Sequence, residues 1–140
     1  MSPKLIRLVG IAFGLIFAAV GLIFLFSPDG VLRLMNSLGR SFGLPAAPLV
    51  GAGFYPVLAV GYMAVVTILS VMMARHPVHP AYPLLLSQAK GASSLLSFGL
   101  FFFHQNAFVY LANGIVDGGL CLVAFLIYRS VRRRSAAPDS

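Results

Sequence analysis

Four stretches of the chain are apolar for about the length that crosses a bilayer, and short polar or proline-bearing segments separate them. The first reads "LIRLVGIAFGLIFAAVGLIFLF" and covers residues 5–26; the others cover about 50–74, 81–103 and 107–128. The pattern predicts an all-α fold: a four-transmembrane-helix bundle forming one membrane domain over residues 1–130, then a basic and polar tail at 131–140. Lys4 and Arg7 precede the first run as they would precede a signal sequence, but the run is too long for one. No small-x-small cleavage site follows before "SPDG", so it reads as a retained helix. Gly10, Gly14, Ala18 and Gly21 form a small-residue stripe along it, the kind that lets helix backbones approach closely in lipid.

"SPDG" suits a turn and the start of a new helix. In "VLRLMNSLGRSFGLP", Val31, Leu34, Met35, Leu38 and Phe42 share one helical face, and Arg33, Asn36, Ser37 and Arg40 lie largely away from it. This predicts a short amphipathic helix between spans 1 and 2, either lying in the interface plane or packed on the bundle as a helical loop. Pro56 either kinks the second span or stands in its first turn. "HQN", residues 104–106, makes a tight connection between spans 3 and 4. The end of the tail has the composition of a disordered segment.

Charge sets the orientation. Four spans put both termini on one side, together with Lys4, Arg7, Arg75, Arg129, Arg132, Arg133 and Arg134; only Arg33 and Arg40 lie opposite. Excess Lys and Arg marks the cytoplasmic face, so both termini are expected there. The net charge of +7 is therefore a topology signal and does not suggest nucleic-acid binding. The composition, 59% hydrophobic and 9% charged against about 25% charged in soluble chains, points to the lipid bilayer as the immediate partner. No repeat relates the two halves, so an inverted-repeat transporter gains no support.

Polar residues stand out inside the second hairpin. Ser87, Lys90, Ser94 and Ser97 recur at helical spacing on the third span, in a stripe continuing through Phe101 to His104. Asn106, Tyr110, Asn113, Asp117 and Cys121 do the same on the fourth. Counting equal distances from a turn near residue 105 puts Ser97 level with Asn113 and Ser94 nearly level with Asp117. Lys90 then lies about three residues deeper, or ~4.5 Å along the axis. Burying either charge alone costs at least ~2.5–3.5 kcal/mol, which facing each other would reduce. Each side chain leans toward its own helix N-terminus, so the lysine stem must span an offset, or a water or serine must mediate. The expected buried polar network is Ser87, Lys90, Ser94, Ser97, Asn113 and Asp117, with Tyr62, Thr67, Tyr110 and His104 as candidate members. Such residues either hold helices together or mark an ion or proton path.

Other chemistry is sparse. His76 and His79 in "RHPVHP" are the candidate metal ligands, but prolines interrupt them and no carboxylate or thiol is near, so an interfacial loop is the expected reading. His104 either titrates at the mouth of the seam or caps its helix. Histidines on facing helices at matched depth, as an intrinsic haem needs, are not found. Cys121 is the one cysteine, which rules out an internal disulfide, and no nucleophile set, P-loop or dinucleotide motif is visible. "FFF" at 101–103, with Phe108 and Tyr110, forms an aromatic cluster near the outer interface that suits anchoring, or a quinone or lipid pocket.

The opening "RLVGIAFGLIFAAVGLIFLFSPD" and the four-span layout resemble the broad DoxX-like group of small bacterial four-helix membrane proteins. Members are mostly uncharacterised, and some are linked to quinone-dependent redox complexes. The resemblance implies a multi-pass protein of the bacterial inner membrane and assigns no site residues. The expected function is a non-catalytic accessory or scaffold subunit of a larger membrane complex, with a membrane-protein partner or further copies of itself. It needs no cofactor unless a quinone or lipid binds. The alternatives are a small oligomeric transporter or channel using Lys90 and Asp117, and a quinone- or lipid-binding subunit of a redox complex.

Overall fold

The computed structural model describes residues 1–49 and 54–135. Among them there is no strand, and the helices run in the order α1 (Pro3–Phe26), α2 (Pro28–Ser41), α3 (Phe54–Arg75), α4 (Ala81–Phe103) and α5 (Phe108–Ser135). The expected start of the second span, 50–53, and the end of the tail, 136–140, lie outside the described residues. Ser2 starts α1 by accepting the Leu5 N–H on its Oγ at 3.3 Å, with Pro3 in the first position, where a missing N–H costs nothing. Pro56 stands in the first turn of α3 for the same reason and is not a kink within it.

Three helices are long and apolar enough to cross a membrane: α1, Pro56–Arg75 of α3, and α5. By composition the count is therefore three, where the apolar runs predicted four. Helix α4 has the length, 23 residues, but Ser87, Gln88, Lys90, Ser93, Ser94 and Ser97 lower its mean hydropathy. Their placement matters more than their number. Ser87, Lys90, Ser94 and Ser97 are buried, while Leu95, Leu96, Phe102 and Phe103 face outward, Phe103 at 93% exposure.

The long helices form two antiparallel pairs, α1 with α3 and α4 with α5, joined along α3 and α4. The first pair is close because α1 presents glycine to it. Gly10 lies against Ser70 and Ala74, Gly14 against Ser70 and Val71, and Gly21 against Met63. A Cβ at Gly10 would come within 2.8 Å of the Ala74 nitrogen, so only glycine permits this approach. Ile6, Phe17, Val66, Met73, Leu86 and Ile127 fill the space between the pairs. The N-terminal amine donates to Ser130 Oγ, which brings the start of α1 beside the end of α5. At the other end Gln105 Nε2 donates to Ala46 O at 2.8 Å.

Two features differ from expectation or refine it. The 130/131 division is not a break, because α5 continues as helix to Ser135. Val131 is 3% exposed and belongs to the core, and Arg132 donates to Tyr128 Oη at 3.0 Å, so burial continues one turn beyond the apolar run. Helix α2 is amphipathic, but only part of its apolar face packs on the bundle: Val31 and Met35 are half-buried. It meets α5 through Gly39, where a Cβ would come 2.7 Å from that of Phe108, and through Phe42, whose ring stacks on Phe108 at 5.5 Å. Asn36 holds the following segment, donating to Ala47 O and accepting from Ala47 N, each at 2.8 Å. Leu34, Leu38 and most of Phe42 stay exposed. A helix docked by its edge with leucines free beneath it has the geometry of one lying along a lipid surface.

Candidate functional site

The second hairpin is stitched by its polar residues. Antiparallel packing of α4 on α5 brings their stripes into one seam, and glycines let the helices close. A Cβ at Gly91 would lie 3.2 Å from Cys121 Sγ, and one at Gly118 would lie 3.0 Å from Ser94 Oγ. From the turn inward, Asn113 Nδ2 donates to Ser97 Oγ at 2.7 Å and, more weakly, to Ser93 Oγ at 3.4 Å. Ser94 Oγ donates to the Gly114 carbonyl at 2.7 Å. Ser87 Oγ lies 3.5 Å from Cys121 Sγ.

At the centre Lys90 Nζ donates to Asp117 Oδ1 at 3.0 Å, with the two side chains 2% and 5% exposed. The lysine stem spans the axial offset, so the contact is direct. The other pair of helices covers the ammonium. The ring centroid of Phe17 from α1 lies 4.5 Å from Nζ, and that of Tyr62 from α3 lies 5.0 Å away. Aromatic faces attract a cation most when water is absent. Tyr62 is fixed in turn by its hydroxyl, which donates to Ala89 O at 3.0 Å. Four helices thus enclose one charge pair, whose attraction is strong in this low-dielectric setting and whose desolvation is costly. No buried side-chain nitrogen or oxygen among the described residues lacks a partner.

Not every candidate joins the seam. Thr67 does not, because its Oγ1 donates back to Met63 O at 2.7 Å and it lines a groove on the outer side of α1 and α3. His104 is exposed and ends α4, its backbone N–H donating to Leu100 O. Tyr110 is half-buried in the first turn of α5. His76 and His79 pack against Tyr82, with ring centroids 5.9 and 4.9 Å away, and His79 Nδ1 accepts the Ala81 N–H at 3.4 Å. His79 therefore helps start α4, and among the described residues no three His, Cys, Asp or Glu side chains gather as a metal set. Of the outer aromatics, Phe108 is engaged by Phe42, while Phe102 and Phe103 face outward.

Phe17 escaped the sequence reading. It is one apolar residue among many on α1, and only the depth of Lys90 in the folded bundle singles it out. Ser70 was also missed; it is buried and donates to Val66 O at 2.7 Å. The arrangement holds a cation and an anion together away from water. The two grooves along α1 and α3 are lined by neither Lys90 nor Asp117. No family model matches the chain, and neither a curated protein nor a solved structure is significantly similar to it.

Proposed function

We propose that the chain is a non-catalytic four-span protein of the bacterial inner membrane, both termini cytoplasmic, serving as an accessory or scaffold subunit of a larger membrane complex. The observation that carries this reading is the enclosure of Lys90 and Asp117 by α1, α3, α4 and α5, at 2% and 5% side-chain exposure. A transport site needs access from water, whereas a closed pair fixes how helices meet.

Helix α4 counts as the fourth span because Ser87, Lys90, Ser94 and Ser97 are buried while Leu85, Leu95, Leu96, Leu100, Phe102 and Phe103 are exposed, the reverse of a helix on a soluble protein. Apart from the exposed Gln88, its low mean hydropathy comes largely from the buried stripe. The DoxX-like resemblance of the opening segment implies the same layout. A small oligomeric transporter is the second reading, favoured by the presence of a charge pair within a span.

Purification in mild detergent, with identification of whatever protein or pigment accompanies the chain, tests the proposal. A stable heteromeric assembly is expected, and a monodisperse homo-oligomer would overturn it. Proton or ion flux in reconstituted vesicles that is abolished by Asp117→Asn would instead establish the transport reading. Membrane-impermeant labelling of cysteines placed at Ser2 and Ser135 should report the same side; opposite sides would refute four spans.

A further inference from the structure

We propose that the outward groove between α1 and α3 binds an anionic phospholipid from the leaflet nearer the chain termini. The glycines that bring these helices together also leave a trough along their outer side. Its first section, about 580 Å³, is lined by Ile11, Gly14, Leu15 and Val71 and is bounded by Arg7 and Arg75. The second, about 350 Å³, runs on past Gly21, Leu22 and Met63, and Ala18 and Thr67 belong to both. Except for the arginines and Thr67, these walls are apolar.

Charge and length identify the occupant. Neither the Arg7 nor the Arg75 guanidinium is ion-paired or hydrogen-bonded among the described residues, and both are exposed at the same mouth. Asp117 is taken by Lys90, and Asp29 stands at the opposite end, so the chain supplies no described carboxylate here. Guanidinium pairs suit phosphate, which accepts two parallel hydrogen bonds from each. From Arg7 to Ala18 is 11 residues of helix, or ~16 Å at 1.5 Å per residue, close to half of a ~30 Å hydrocarbon core. A phosphate at the arginines thus puts an acyl chain along the first section, ending where the leaflet ends. A second copy docked here by a two-fold axis would instead oppose its own Arg7 and Arg75 to these, like charge against like.

The test uses the full chain, purified in mild detergent and titrated with phosphatidylglycerol or with phosphatidylcholine of the same acyl chains, with bound lipid read by native mass spectrometry. The wild type should prefer the anionic lipid, and Arg7→Gln with Arg75→Gln should weaken phosphatidylglycerol binding at least about tenfold. Ala18→Phe, which fills the trough without changing charge, should also lower binding. Arg133→Gln with Arg134→Gln removes equal charge from the same end on α5 and should leave it intact. Equal losses from the two arginine pairs would mean unspecific attraction and overturn the proposal. So would undiminished binding in Ala18→Phe, or a change of oligomeric size in that variant with lipid binding unchanged, which would make the trough a contact between copies. Helical circular dichroism of each variant separates loss of binding from loss of fold.

Discussion

Removing the charges of Lys90 and Asp117 one at a time and together measures what the pair does for the bundle. Lys90→Met leaves a carboxylate with 5% side-chain exposure and no cation; stranding one member of a buried pair costs about 3–5 kcal/mol. Asp117→Asn is milder, because an amide oxygen can still accept from Nζ and the rings of Phe17 and Tyr62 still face it. We expect about 2 kcal/mol for it. The double variant leaves no charge buried, and methionine fills most of the lysine stem's volume, so it should cost only about 1 kcal/mol. Independent effects would sum to about 5–7 kcal/mol, which makes the expected coupling about 4 kcal/mol or more. Unfolding by sodium dodecyl sulfate in mixed micelles, followed by far-ultraviolet circular dichroism, gives the three differences. A double variant that loses as much as the two singles combined would show that the 3.0 Å contact is energetically idle, and the assembly argument built on it would fail.

The helix contacts give two further expectations. In the same assay Gly10→Ala should destabilise by about 1–3 kcal/mol, since the new methyl meets backbone atoms of α3. Gly61→Ala, which meets nothing within 4 Å, should stabilise by about 0.5–1 kcal/mol through helix propensity; equal effects at the two sites would refute the close approach of α1 and α3. For α2, a fluorophore on Leu38→Cys in a Cys121→Ser background should be quenched by nitroxide-labelled acyl chains, and one on Arg40→Cys should not. Equal quenching would refute a helix with its leucines in lipid.

The hairpin of α4 and α5 was legible because a tight turn fixes the register of two antiparallel helices. Counting from residue 105 puts Ser97 level with Asn113, and these side chains lie 2.7 Å apart. The same count leaves Lys90 and Asp117 a few residues offset, and the lysine stem covers the difference. Helices α1 and α3 have no such ruler, because their connection passes through α2 and a long segment. Nothing in an almost wholly apolar sequence marks Phe17 as the residue over Lys90, or turns Thr67 away from it. Helix α2 shows another limit: periodicity defines its apolar face but does not say whether lipid or protein covers it. The end of α5 shows a third, since Val131 lies among arginines and becomes core through the neighbouring start of α1 and the segment after α3.

The ion pair also has an order of manufacture. Lys90 leaves the ribosome 27 residues before its partner. On the four-span reading, α4 reaches the membrane as a segment of middling hydropathy with an unmatched ammonium, poorly suited to rest in hydrocarbon by itself. Its counter-charge arrives only when about a third of α5 has been made. The two helices are thus suited to leave the translocation channel as a hairpin, already paired, while α1 and α3 are apolar enough to go singly. On the same reading, the side chains that join α4 and α5 also couple the insertion of one helix to that of the other.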